Sequence, residues 1–323
     1  MIAKLSRSLW VRAVVTAVIL ALLFRKIPLS DVFSALSRLR LGPALTVLVL
    51  VAMDRCVMIW RWIILLRAAG QKVSTRSAID IYLVSSFVGG VVPAAADVAR
   101  AYSLRERTAQ GSAAAASVAV DRVLGLLALV LMAIVGLIVT RQSQPQHTSL
   151  GIAIALLAFV LGAAALLWTD RWVRALVPTA SHSSRAGSQL LRLADAIAYY
   201  RDRPLALSWV AVLSGAVQVL RVLQAYVLGI GIGIDVPFTY YLLFMPIGLI
   251  ALMLPISISG FGAPQGLIVW MLKPLGVPEA DAFALSTLIV LSGIIANLPG
   301  ALLYLRRPRT SDSALLTSRD SSL

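Results

Sequence analysis

Pro255-Ile256-Ser257-Ile258-Ser259-Gly260-Phe261-Gly262-Ala263-Pro264 breaks an apolar stretch that runs from 237 to 273. The part before the break, 237–256, has the length of a spanning helix, about 20 residues, whereas 260–273 is too short to cross alone. Glycine and proline release backbone groups that lipid cannot satisfy. Such a break at membrane depth survives only when buried in protein or lining a watery cavity. The first half carries a similar interruption. Segment 78–97 contains Ser85-Ser86-Phe87-Val88-Gly89-Gly90-Val91-Val92-Pro93 and ends at Asp97.

Composition supports reading both breaks at membrane depth. The chain is 59% hydrophobic and 13% charged, against about 25% charged in an ordinary soluble domain. Mean hydropathy is +0.89. A soluble fold could not cover so much apolar surface. The expected fold is an all-α polytopic membrane protein. About six full transmembrane helices are read at 9–24, 41–66, 112–140, 150–168, 205–233 and 282–305, with two Gly/Pro-broken re-entrant elements between them. Segment 9–24 lacks a small-residue cleavage site after Leu22–Phe24 and reads as a retained first helix. Residues 1–305 form one integral membrane domain, and 306–323, rich in Ser, Thr and Arg, reads as a disordered cytoplasmic tail.

Charge distribution sets the orientation. If 78–97 enters and leaves on one side and the second break enters from the other, one face collects Lys4, Arg7, Arg12, Arg67, Lys72, Arg76, Arg100, Arg105 and Arg107. It also takes six arginines of loop 169–204 and four of the tail. The opposite face holds Arg25, Lys26, Arg38, Arg40, Arg141 and Lys273. The rich face is cytoplasmic by the positive-inside rule, which puts both termini in the cytoplasm of a protein expected in the cell (inner) membrane. Letting all nine apolar segments span weakens the asymmetry and puts the N-terminus outside. Two opposed breaks, one per half, suggest a weak inverted repeat, and such pairs point to the binding site in transporters. Amphipathic stretches at 29–41 and 187–200 read as interfacial helices.

The net charge of +15 would suggest nucleic acid in a soluble protein, but cytoplasmic loops and the anionic leaflet account for it here. Membrane lipids are the expected partners, and nucleic acid is not. Cys56 is the one cysteine, and His147 and His182 lie in polar loops. No metal site, no cofactor and no catalytic residue is expected.

Charged groups inside a membrane are functional candidates by default. Asp97 and Arg100 stand at i and i+3, so they share a helical face as a headgroup site or as an anchoring ion pair. Asp121-Arg122 reads as either an intramembrane site or an interfacial anchor. Arg61, with Asp54 and Arg55, lies deep in 41–66. Gln218 and Arg221 share a face in 205–233, and Arg221 requires Asp97, Asp54 or a bound anion as partner. Ser257, Gly260 and Gly262 free backbone donors and a hydroxyl, and a half-helix starting near Gln265 would point its positive end at an anionic ligand. Asn297 and Pro299 read as kink and packing features.

These residues resemble the flippase-like transmembrane region of the lysylphosphatidylglycerol synthase family, over about 10–305. The pieces are Arg61-Trp62 leading to Leu65-Leu66 and Gly70, Val92-Pro93 followed by Asp97-Val98-Ala99-Arg100, and Ala114–Val118 with Asp121-Arg122, Leu124 and Gly125. Pro255-Ile256-Ser257 with Gly260-Phe261-Gly262 completes the set. Ala94-Ala95-Ala96 replaces the family's usual glycines. Pro264-Gln265 stands where the family has an Arg-Glu pair or similar, and Leu288 stands near a typical arginine. The resemblance implies translocation of an anionic, aminoacylated or isoprenoid- or hopanoid-type lipid between leaflets. It implies a stand-alone translocating part without the soluble aminoacyl-transfer domain. Two other functions compete with it. One is a non-transporting partner of a lipid-modifying enzyme, with loop 169–204 as the docking surface, and a homo-oligomer is a further expected association. The other is a membrane lipid transferase, for which the chain carries no phosphotransferase, prenyltransferase or phosphate-loop motif.

Overall fold

The computed structural model describes residues 29–90, 93–108, 111–141, 145–176, 185–253 and 262–306. The expected first span at 9–24 and the tail beyond Arg306 lie outside them, as do Ser257 and Gly260. Every described element is helical: α1 Leu29–Ser37, α2 Leu41–Ala68, α3 Thr75–Val88, α4 Pro93–Thr108, α5 Gly111–Val139, α6 Pro145–Leu167, α7 Thr169–Leu176, α8 Arg185–Ala198, α9 Pro204–Ile232, α10 Phe238–Met253, α11 Ala263–Leu272 and α12 Glu279–Arg306. Short 3₁₀ turns follow α8 and α11.

Four helices, α2, α5, α9 and α12, are long and apolar enough to cross a membrane. A fifth crossing results if Gly151–Leu167 and Thr169–Ala175, bent by 83° to each other, count as one span. The outward sides of these helices are greasy. Leu45, Leu48 and Val49 on α2, Leu156, Leu157 and Val160 on α6, and Leu298 and Leu302 on α12 are all exposed. Side chains of this kind, exposed in rows, require a lipid environment. The protein is a multi-pass membrane protein.

Local chemistry sets the ends. Ser74 caps α3 by accepting from the Ser77 N–H at 3.2 Å, and α3 stops at Gly89-Gly90. Pro93 opens α4, where its missing N–H costs nothing. The span read at 150–168 does end there, but the chain then turns sharply at Trp168 into α7, an element hidden in what the sequence presents as a loop. The expected amphipathic helices are present at Leu29–Ser37 and Arg185–Ala198.

Helix α9 packs along α2, and α5 closes against both, making a three-helix centre. The α3–α4 pair packs on α5 and α12, and the α10–α11 pair packs on α5 and α12 from the other end. Three apolar cores hold these contacts. One joins α1, α9, α10, α11 and α12 through Val222, Ile232, Tyr241, Phe244, Leu272 and Leu285. A second gathers around Trp62, Ile81, Tyr82, Leu104 and Ala114, and a third around Leu65, Val120, Leu166, Tyr200 and Val210 near the Ala68 end. There Tyr200 donates its hydroxyl to the Leu65 carbonyl at 3.2 Å, and burial pushes its phenol pKa upward. At the opposite end, Arg38 pairs with Asp281 and Lys273 with Glu279 at 2.8 Å.

Two close approaches bring α3 to its neighbours. A Cβ at Gly300 would overlap the Leu83 carbonyl, and one at Gly89 would overlap the Ala96 side chain. Glycine and alanine let helix backbones touch where lipid supplies no hydrophobic drive. Gly300→Val should therefore destabilise the fold by about 1–3 kcal/mol. Thermal unfolding in detergent should show a lower midpoint than for Gly293→Val, whose added Cβ meets open space. Equal midpoints would contradict this packing.

Candidate functional site

Helices α2, α4 and α5 each bring one long-range charge to a common point. Asp121 on α5 is 2% exposed, and its two oxygens are held by different arginines. The Arg61 Nε–H donates to Oδ1 at 2.7 Å, and Arg100 Nη1 donates to Oδ2 at 3.1 Å. Arg100 continues the chain through Nη2 to Asp97 Oδ1 at 2.9 Å. Asp97 Oδ2 lies 3.4 Å from Arg122 Nε. The result is an alternating row, Arg61–Asp121–Arg100–Asp97–Arg122. Buried ions require this kind of compensation, because removing one partner of such a pair costs about 3–5 kcal/mol.

Neutral groups complete it. Arg61 Nη1 donates to Ser214 Oγ at 3.1 Å, and Ser214 returns its proton to the Val210 carbonyl at 2.6 Å. Gly125 faces the Arg61 guanidinium, where an added Cβ would stand 3.4 Å from Nη1. The Arg100 guanidinium also lies over Trp62 and Tyr82, with ring centroids at 5.3 and 5.0 Å, within cation–π range. Farther along α2, Arg221 Nε donates to Asp54 Oδ1 at 3.2 Å, and Gln218 Nε2 reaches the Gly125 carbonyl at 3.5 Å.

This network lines a polar cavity of about 200 Å³, together with Tyr82, Ser85, Ser86 and Gln218. A second cavity of about 290 Å³ lies beside it, walled by Met245, Leu249, Ile268 and Ile289 with Asp54 and Gln224. Arg55, Gly89, Arg122, Arg221 and Asn297 line both. The arrangement is a charged chamber joined to a mostly apolar one across a wall that carries three arginines.

Of the residues singled out from sequence, Arg61, Asp97, Arg100, Asp121, Arg122, Gln218 and Arg221 meet around these cavities. The partner of Arg221 is Asp54. Gly262 and Gln265 do other work: Gln265 is fully buried, and its Oε1 accepts the Gly262 N–H at 2.6 Å, closing the start of α11. Neither lines the two cavities, although Pro264 between them lines the second.

Two residues gain importance. Arg55 makes no ion pair among the described residues, and its buried Nε meets no acceptor. Adjacent helical residues point apart, so Asp54, turned to Arg221, does not serve it. Asn297, read from sequence as a packing feature, holds a buried Oδ1 without a donor among the described residues. The available signal for Arg55 was its depth in a span next to an aspartate that could satisfy only one arginine. Asn297 carried no comparable signal. Among the described residues no His, Cys, Asp and Glu cluster suited to a metal ion occurs.

Residues 9–300 match the family described as the lysylphosphatidylglycerol synthase TM region. No curated protein matches the chain. With the match covering all but the two ends, the chain belongs to the lysylphosphatidylglycerol synthase transmembrane-region family.

Proposed function

We propose that this protein is a lipid flippase or transporter that moves an anionic, aminoacylated or isoprenoid-type lipid between the leaflets of the inner membrane. It performs no chemical step on that lipid. The observation that supports this most is the pair of joined chambers, one charged and one apolar, inside a bundle with a greasy exterior. A lipid has the same division, a polar head next to a hydrocarbon tail. Arginines suit its phosphate, since the guanidinium fork matches phosphate oxygens bidentately.

The membrane arrangement we propose has six full spans, with 9–24 as the first. The α3–α4 and α10–α11 pairs form two opposed re-entrant elements related as a weak inverted repeat. Support comes from the four long apolar helices, the bent fifth, and the way each short pair packs back on itself. Both termini then lie in the cytoplasm, on the arginine-rich side. The same side carries α7 and α8, with Arg171 and Arg192 away from the core. That surface favours a second reading, a docking face for a lipid-modifying enzyme, in which the chain organises a complex without transporting.

Reconstituted vesicles separate these readings. Purified protein should move labelled phospholipid across the bilayer, and protein that moves none refutes transport. Asp97→Ala, which removes the partly exposed carboxylate of the row, should lower the translocation rate more than the yield of folded protein. An equal fall in both would reduce the pair to an anchor. Asp121→Asn removes the charge shared by two buried arginines and should reduce yield and rate together, with about 3–5 kcal/mol lost. For orientation, green fluorescent protein fused to either end should fluoresce, and a dark fusion at one end would contradict the six-span arrangement.

A further inference from the structure

We infer that the site takes a lipid of net negative charge whose head is uncharged and bears a hydroxyl, and that it turns away a cationic, aminoacylated head. This rests on reading the two chambers as one lipid site. Five arginines, Arg55, Arg61, Arg100, Arg122 and Arg221, line the chambers against three aspartates, Asp54, Asp97 and Asp121, an excess of two positive charges.

Each aspartate is already engaged. Asp121 faces Arg61 and Arg100, Asp97 faces Arg100 and Arg122, and Asp54 faces Arg221. A ligand ammonium would have to share a carboxylate with an arginine and would add charge to a chamber already positive. Like charges at short range in low dielectric repel strongly. A ligand phosphate meets the opposite situation, because the Arg55 Nε–H is buried with no acceptor.

The place of Arg55 gives the ligand its orientation. It lines both chambers, so a phosphate held there has the charged chamber on one side and the apolar chamber on the other. The phosphate of a phospholipid occupies the same position between head and tail. Asn297 stands on the same shared wall with an Oδ1 that lacks a donor. A head hydroxyl supplies that donor, whereas an alkyl head supplies none. A buried acceptor left unmade is costly, so the site favours the ligand that fills it.

The test is native mass spectrometry on the full chain purified in detergent. It is offered equal amounts of phosphatidylglycerol, lysyl-phosphatidylglycerol, phosphatidylcholine and phosphatidylethanol, the last an anion without head hydroxyls. Phosphatidylglycerol should be retained about tenfold over the lysylated and choline lipids, the factor that about 1.4 kcal/mol of repulsion at a cationic head group supplies. It should also be retained over phosphatidylethanol, and Asn297→Val should erase that second difference. Arg55→Gln, which removes one of the two excess positive charges, should narrow the preference for phosphatidylglycerol over phosphatidylcholine. Arg55→Lys, which keeps the charge, should preserve part of the preference and decides the matter if the glutamine variant does not fold. Retention of lysyl-phosphatidylglycerol equal to that of phosphatidylglycerol, or a ranking untouched by both Arg55 variants, overturns the inference. Selective retention with no movement in vesicles refutes transport and leaves the ligand class standing. Lysylated lipid bound and moved as well as phosphatidylglycerol does the reverse.

Discussion

A carboxylate buried between two arginines is the interaction on which the rest of this structure depends. Asp121 receives Arg61 from α2 and Arg100 from α4, so three helices distant in sequence must meet at one depth. None of these charges could remain there alone. Arg61 also reaches past α5 to Ser214 on α9, with Gly125 alongside its guanidinium. The short helix α4, with few greasy residues of its own, is held in place by this network and by the stacking of Arg100 on Trp62 and Tyr82.

The network also leaves something over. Pairing consumes the aspartates before it consumes the arginines, and the surplus arginine sits on the wall between two chambers. A bundle selected only for stability would gain little from an unpaired intramembrane arginine, given the cost of burying charge. The surplus makes sense as a site for an anion that arrives with its own apolar portion.

Much of the fold was legible from the chain alone, for particular reasons. Runs such as 205–233 are long and apolar, and their helices follow from bilayer thickness. Gly89-Gly90 followed by Pro93, and Gly262 followed by Pro264, mark helix ends that the structure keeps. The turn at Trp168 was not legible, because the residues after it are polar enough to resemble any loop. In the site, Asp97 and Arg100 could be paired from spacing, since i and i+3 share a helical face. Their joining to Asp121 and Arg61 depends on how helices separated by many residues pack, and no local pattern encodes that. Arg221 left three partners open, and packing of α9 on α2 selects Asp54. Gln265 stands where the chain pattern predicts the start of a ligand-facing half-helix, whereas its side chain closes the first turn of α11. Asn297 was passed over because a lone amide near a proline looks like a kink.

The central claim, that the two chambers together hold a lipid, is tested most directly by photocrosslinking. Phosphatidylglycerol carrying a diazirine in its acyl chain would be incorporated with the full-length protein and activated, and the adducts mapped by mass spectrometry. Adducts on Met245, Leu249 and Ile268, the walls of the apolar chamber, are predicted. They should be lost when unlabelled phosphatidylglycerol competes. Adducts confined to outward residues such as Leu156, Leu157 and Val160, with none inside the chamber, would contradict the account.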